Sequence, residues 1–168
     1  MNPNQLTYRK DIRVSDRDTI RRIVSSSGFF SREEIDLAME LVDDRLSRGS
    51  KSDYCYILAD NGRHLVGFTC YGRIPATQSS YDLYWIATDV AFRRGGIGKM
   101  LMLRTEDIIG KHGGRQVYIE TSGRPQYTPT RLFYEACGYI QVAFLRDYYA
   151  SGDDKIIYVK TLKNEDSP

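Results

Sequence analysis

The chain has 168 residues, 41% of them hydrophobic and 27% charged, with a net charge of +2. That is the make-up of one ordinary globular domain, 1–168, large enough to bury its own core without disulfides or metal. It excludes a strongly basic nucleic-acid binder, and no apolar run approaches the length of a membrane span.

The start, Met1-Asn-Pro-Asn-Gln5, is polar and carries no signal region, so a cytoplasmic location is expected. Leu6–Val14 alternates loosely and predicts a first strand. Asp16 is placed to cap a helix carrying Ile20, Ile23 and Val24, which stops in Ser25–Gly28. Ser31 with Glu34 forms a capping box for a second helix, with Phe30 set for a hydrophobic staple and Gly49 as the stop. Tyr54–Ala59 and His64–Tyr71, joined through Asn61-Gly62, predict a hairpin. Tyr81–Asp89 is the next strand, and Ile97, Met100, Leu101, Arg104 and Ile108 trace a helix ending at His112-Gly-Gly114. Gln116–Thr121 is again a strand. Thr128 and Pro129 supply a cap and first-turn proline for a helix Thr130–Cys137, and strands around Tyr139–Asp147 and Lys155–Thr161 flank a turn at Ser151–Asp154. The tail at about 164–168 is polar. The order β-α-α-β-β-β-α-β-α-β-β predicts an α/β fold: one mixed central sheet of about seven strands with helices on both faces. Cys55, Cys70 and Cys137 are odd in number and widely spaced in apolar patterns, which suits buried thiols in a reducing compartment.

The stretch Trp85–Leu103 runs from strand through glycines into helix. Such a turn presents amides without intrahelical partners at the positive end of a helix, a cradle for phosphate. Arg93, Arg94 and Lys99 add charge there. A nucleotide-triphosphate loop needs glycine where Arg93 stands and a hydroxyl where Met100 stands. A dinucleotide fingerprint needs glycine where Leu101 stands and a parallel sheet that the hairpins deny. Neither fits.

A third pattern, Arg/Gln-x-x-Gly-x-Gly/Ala, is met by Arg93-Arg-Gly-Gly-Ile-Gly98, and a second, Phe-Tyr-Glu-x-x-Gly-Phe/Tyr, by Phe133-Tyr-Glu-Ala-Cys-Gly-Tyr139. With these motifs and this element order the chain resembles the GNAT superfamily of acetyl-CoA-dependent N-acyltransferases over roughly residues 5 to 162. The resemblance implies an acyltransferase with acetyl-CoA as cosubstrate and no metal. It implies that Arg93, Arg94, Gly95, Gly96, Ile97, Gly98 and Lys99 hold the pyrophosphate. It also implies that the strand before them splays from its neighbour, and that pantetheine pairs with backbone at Ile86, Ala87 and Thr88, a strand augmentation by cosubstrate. Phe133 and Tyr134 would stand by the thioester, with Tyr134 donating to the departing thiolate. Two departures stand out: Arg94 occupies a position often glycine, and Thr88 one usually aliphatic.

The implied reaction is direct attack by an amine. An alkylammonium of pKa near 10 is only about 0.1% free base at pH 7, a cost of roughly 4 kcal/mol, against about 1 kcal/mol for a peptide α-amine. A basic acceptor therefore needs a proton acceptor. Asp82 and Tyr84 share one face of the incoming strand, and Glu120 ends the next; a water chain is the other option. A phenol facing a thiolate transfers its proton uphill by only about 2 kcal/mol, so the Tyr134 role is feasible. His64 and His112 are not placed to activate a nucleophile.

By the same resemblance the acceptor site is walled by Ser25–Ser31 and the last hairpin, with Phe29, Phe30, Tyr148 and Tyr149 as aromatic surface. Asp82, Glu120, Asp147, Asp153 and Asp154 offer negative charge, while Asp153-Asp154 also reads as a turn. Gly123–Tyr127 departs from the family, which often runs from an asparagine straight into the helix. A small-molecule amine is the first expected acceptor and a protein or peptide N-terminus the second. A catalytically silent acyl-CoA-binding module is the reading of another class. No nucleic acid or membrane partner is expected, and a homodimer is left open.

Overall fold

The computed structural model describes residues 5–162, so the expected tail at 164–168 lies outside the described residues. In chain order the elements are β1 (Thr7–Arg9), α1 (Asp16–Ser26), α2 (Arg32–Arg48), β2 (Cys55–Asp60), β3 (Leu65–Arg73) and β4 (Ser80–Thr88). They continue with α3 (Ile97–Lys111), β5 (Gln116–Ser122), α4 (Thr128–Ala136), β6 (Ile140–Ala150) and β7 (Asp153–Thr161). The sheet is mixed, in the order β1-β2-β3-β4-β5-β7-β6, with β4 and β5 parallel and the two hairpins antiparallel. Fold class and element order agree with the expectation from sequence.

Contacts divide the chain into two units. One takes residues up to 72 with 85–105, the other 73–84 with residues from 106 onward. β4 begins in the second and ends in the first.

In the first unit the core follows from period-two alternation on β3. Phe68 and Cys70 point to one face, where they pack with Tyr56 and Leu58 of β2, Ile20, Ile23 and Val24 of α1, and Ala38, Met39 and Val42 of α2. Gly67 and Thr69 point to the other. Thr69 Oγ1 lies 2.9 Å from Thr105 Oγ1 of α3. At Gly67 a Cβ would stand 3.1 Å from both the Ala87 carbonyl oxygen and Leu101 Cδ1, so α3 approaches as closely as it does because no side chain is there. Helices thus cover both faces of β3.

The capping box of α2 is present: Glu34 N donates to Ser31 Oγ at 3.2 Å and Ser31 N to Glu34 Oε2 at 2.7 Å. Two helix caps differ from expectation, and β1 is three residues long where Leu6–Val14 was expected. Asp16 is the first helical residue of α1 and not its cap. Its carboxylate accepts from Arg13 N at 2.7 Å and from both terminal nitrogens of Arg9 at 2.7 Å, a buried clamp that closes β1 into the helix after only three strand residues. Thr128 is likewise already helical, because Pro125–Tyr127 forms a 3-10 turn that feeds α4 and leaves Tyr127 at the cap position. All three cysteines are free; Cys70 is buried, whereas Cys55 and Cys137 are only half-buried.

In the second unit β7 pairs with β5 from Ser122↔Lys155 to Gln116↔Thr161, and with β6 through a ladder interrupted at Gln141/Ala143 and again at Leu145/Ala150. The turn between β6 and β7 is Ser151-Gly152, with Gly152 at φ 77°, so Asp153 and Asp154 already belong to the strand. One face of β7 meets α4: Tyr158 Oη donates to Glu135 Oε1 at 3.0 Å, and the Tyr134 and Tyr158 rings lie 5.9 Å apart. Lys160, on that same face, reaches Glu106 Oε2 at 2.7 Å and the Cys137 carbonyl at 2.8 Å. The parallel β4–β5 ladder runs from Ser80↔Gln116 to Asp82↔Tyr118. Among the described residues no helix is long and apolar enough to cross a membrane.

Candidate functional site

The sequence-predicted residues fall into two groups, one in each unit.

In the first unit, β4 delivers the chain to Asp89, a buried residue whose carboxylate accepts from Ala91 N at 3.0 Å and Arg22 Nη1 at 2.7 Å; its own N–H donates to the Val66 carbonyl at 2.9 Å. Burial raises the pKa of this carboxyl, but the Ala91 N–H and the Arg22 charge outweigh it, and the net shift is downward. Asp89 caps a single 3-10 turn, Val90–Phe92, which turns the chain toward the glycines. Arg93 is extended. Arg94 at φ 62° and Gly96 at φ 78° both occupy the left-handed region, on either side of Gly95. Such alternation turns successive N–H groups toward one concave side, a geometry that suits an anion.

α3 starts at Ile97, whose side chain is buried, and its first ladder bond runs from Met100 N to Gly96 O at 3.1 Å. The amides of Ile97, Gly98 and Lys99 precede that ladder. Arg93, Arg94 and Lys99 are exposed, and Ile86 and Thr88 are half-buried on either side of buried Ala87. Left-handed backbone, unladdered amides and three cations fit a diphosphate. Of the predicted acceptor aromatics, Phe29 lies under the Arg93 guanidinium at 5.5 Å, whereas Phe30 packs edge-on against Trp85 at 4.8 Å and borders the core.

In the second unit Tyr134 is 6% exposed, its ring 5.7 Å from half-buried Phe133 and 6.4 Å from Tyr139. Burial first, then Cys137, Tyr127 and Tyr158, push its phenol upward, so it stays protonated at neutral pH as a hydrogen-bond donor, and full proton transfer from it costs more than from a free phenol. Asp82 and Tyr84 share a face of β4, as expected, and the register places Tyr118 and Glu120 of β5 and Lys155 of β7 on that face too. Asp82 is half-buried. Burial, and then the Glu120 charge, raise its pKa against the opposing pull of Lys155. Glu120 is ion-paired to Lys155, whose Nζ lies 4.3 Å from the centre of the Tyr148 ring. Tyr148 and Tyr149 meet edge to face at 5.0 Å, and both are exposed. Burial, against the pull of Lys155, pushes Tyr149 up to about 12.

The other predicted acids staple the hairpin. Asp153 accepts from Ser122 Oγ at 2.5 Å and pairs with Arg124 Nε at 2.9 Å. Asp154 accepts from Asp147 N at 2.8 Å, and Asp147 from Gly152 N at 2.6 Å. Arg131 Nη1 donates to the Ser122 and Arg124 carbonyls and its Nη2 to Thr128 Oγ1 at 2.9 Å, so the atypical stretch Gly123–Tyr127 is held at both ends. Sequence reasoning missed Arg22 and Lys155. Lys155 could have been read from strand parity with Glu120; Arg22 had no local signal, since its partner lies 67 positions away. Among the described residues no three His, Cys, Asp or Glu side chains gather as a metal would need.

The chain matches the acetyltransferase (GNAT) family model over residues 18–139. A crystal structure of a GNAT-family protein from Desulfovibrio desulfuricans shares 40% identity and a TM-score of 0.91, covering 94% of this chain and 99% of that one. The ribosomal-protein-S18-alanine N-acetyltransferase of Escherichia coli is similar at 17% identity and TM-score 0.72, covering 97% and 99%. An aminoglycoside 6'-N-acetyltransferase complexed with coenzyme A is similar at 17% identity and TM-score 0.73, covering 96% and 99%. No curated protein matches the chain.

Proposed function

Because this chain belongs to the acetyltransferase (GNAT) family, we propose that it moves an acetyl group from acetyl-CoA to the primary amine of a small molecule by direct attack. The observation that carries the donor half is the turn Arg93–Lys99, with left-handed Arg94 and Gly96 and the unladdered amides at the start of α3. In this reading it holds the pyrophosphate, while the backbone of Ile86, Ala87 and Thr88 pairs with pantetheine.

Acetyl-CoA supplies an activated thioester. The chain's own residues manage protons. A carboxylate or a water held on the Asp82 face takes one proton from the acceptor ammonium, which frees the nitrogen lone pair to attack the thioester carbon. The C–N bond forms and the C–S bond breaks. Tyr134 donates its hydroxyl proton to the leaving sulfur and is reprotonated by the second proton lost from nitrogen. The sum is one amide, one thiol and one proton to solvent. The upward shift of Asp82 favours an acceptor that needs deprotonating, which is why a basic alkylamine stands ahead of a peptide N-terminus. The exposed Tyr148–Tyr149 pair favours the second reading, since two aromatic faces suit an extended peptide.

Thermal unfolding with acetyl-CoA, followed by thiol release on a panel of amines and peptides, tests this. We expect stabilisation by acetyl-CoA and turnover on small amines. Stabilisation without turnover on any amine or peptide would leave only a binding module. Gly96 or Gly98 replaced by a bulky residue should abolish acetyl-CoA binding, and binding that survived would remove the donor site.

A further inference from the structure

Glu120 and Asp82 lie on one sheet face as rival carboxylates, and Lys155 joins them on it. We propose that Lys155 is a positioning residue for deprotonation of the acceptor: by pairing with Glu120 against the Tyr148 ring it keeps Glu120 occupied and leaves Asp82 to take the proton. This rests on the acetyl-transfer reading above.

The geometry is specific. Lys155 is only 8% exposed, although it sits on the face away from α4. Its cross-strand partner on β5 is Ser122, so Glu120 is its diagonal neighbour, a separation that long side chains span. Tyr148 covers the ammonium from β6, its ring centre 4.3 Å away. A cation over an aromatic face and beside a carboxylate holds its charge and its position. Burial alone would lower the Lys155 pKa, but the Glu120 hydrogen bond and charge, with Tyr148 and Tyr149, turn the net shift upward, so the ammonium persists at neutral pH.

Glu120 is thereby committed to a partner that would lose it on protonation. Asp82 has no such commitment; it is half-buried, and the charges facing it are Glu120 from β5 and Lys155 from β7, of opposite sign. Tyr84 on β4, Tyr118 on β5 and Asp153 on β7 share this face by strand parity, and Tyr148 and Tyr149 of β6 lie against Lys155. The acceptor's N–H bond breaks toward an Asp82 oxygen, directly or through one water, and the electron pair stays on nitrogen.

The test uses the full chain and two readouts: an NMR titration of the side-chain carboxyls, assigned with D82N and E120Q, and the pH profile of kcat/KM for thiol release. K155M should move the Asp82 titration further up and E120Q should move it down, opposite directions that a merely structural role would not produce. K155R, which keeps the cation, should stay near the parent. In K155M kcat/KM should fall about tenfold at the acid end and converge on the parent at the alkaline end. The proposal is overturned if Asp82 moves in neither variant, if K155M loses the same factor at every pH, or if E120Q and not D82N removes the acid limb. Should K155M not fold, E120Q at its half-exposed side chain decides by itself. A parent that releases no thiol with any amine would defeat the acetyl-transfer reading, while the titration would still show whether Lys155 sets Asp82.

Discussion

Arg94 holds a backbone conformation that L side chains adopt at a cost of about 1–3 kcal/mol, in the middle of a turn where glycine would serve without strain. The sequence pattern marks the departure; only the φ of 62° shows why glycine is common there. Arg94→Gly should therefore hold or raise thermal stability, by up to about 1 kcal/mol, while weakening acetyl-CoA affinity through the lost charge. Isothermal titration beside a melting curve separates the two effects, and a fall in stability would show that Arg94 is not strained. Tyr134→Phe keeps the ring contacts to Tyr139 and Tyr158 and removes the hydroxyl. Turnover should drop about a hundredfold with acetyl-CoA binding nearly intact, and unchanged turnover would remove the donor role. Asp82 gives a stability signature as well. Its pKa is raised in the folded chain, so the folded state holds its proton more tightly than the unfolded one, and stability declines as pH rises through the interval between the two values. D82N should flatten that decline in melting temperature measured against pH.

At the scale of elements, most of the fold was legible because it is written in local periodicity: the α2 capping box and the Asn61-Gly62 hairpin need only neighbours in sequence. The misplaced caps of α1 and α4 have a common cause. Asp16 is recruited by Arg9, and Thr128 is drawn into helix by the 3-10 turn before it, and neither influence is visible in a cap pattern. The site divided in the same way. The glycine turn was readable because the role proposed for it lies in backbone, whereas the Lys155–Glu120 pair depends on a diagonal between strands far apart in sequence. Asp89 binds these scales together: it caps the 3-10 turn leading to the glycines and anchors it to α1 through Arg22. Asp89→Ala should cost about 1–2 kcal/mol in stability and weaken acetyl-CoA binding, read by denaturant melts and titration calorimetry. Between α3 and β5, Gly114 is required by contact. A Cβ there would come within 2.3 Å of Ile109 Cγ2 and 2.9 Å of the Ile109 carbonyl. Gly114→Ala should destabilise by about 1–3 kcal/mol, measured by the same melts.

For the whole molecule, the family follows from motifs that lie in order along the chain, and the proposed acyl donor rests on the same motifs, while the proposed acceptor site depends on side chains that only tertiary structure gathers. Asp153 and Asp154 illustrate this: as sequence they offered charge to a cation, and in the fold they tie down Ser122, Arg124 and Asp147. The sheet order β5-β7-β6 has a consequence in time. The strand that sits between β5 and β6 follows both in the chain, so both must wait, with edges open, until residue 161 is free of the exit tunnel. A chain that stalls at the Ser151-Gly152 turn would carry a finished glycine turn in its sequence and yet lack Lys155, the partner of Glu120 and the strand on which Tyr158 meets α4. Termination at the Ser151-Gly152 turn should thus yield insoluble product in place of a weakened enzyme.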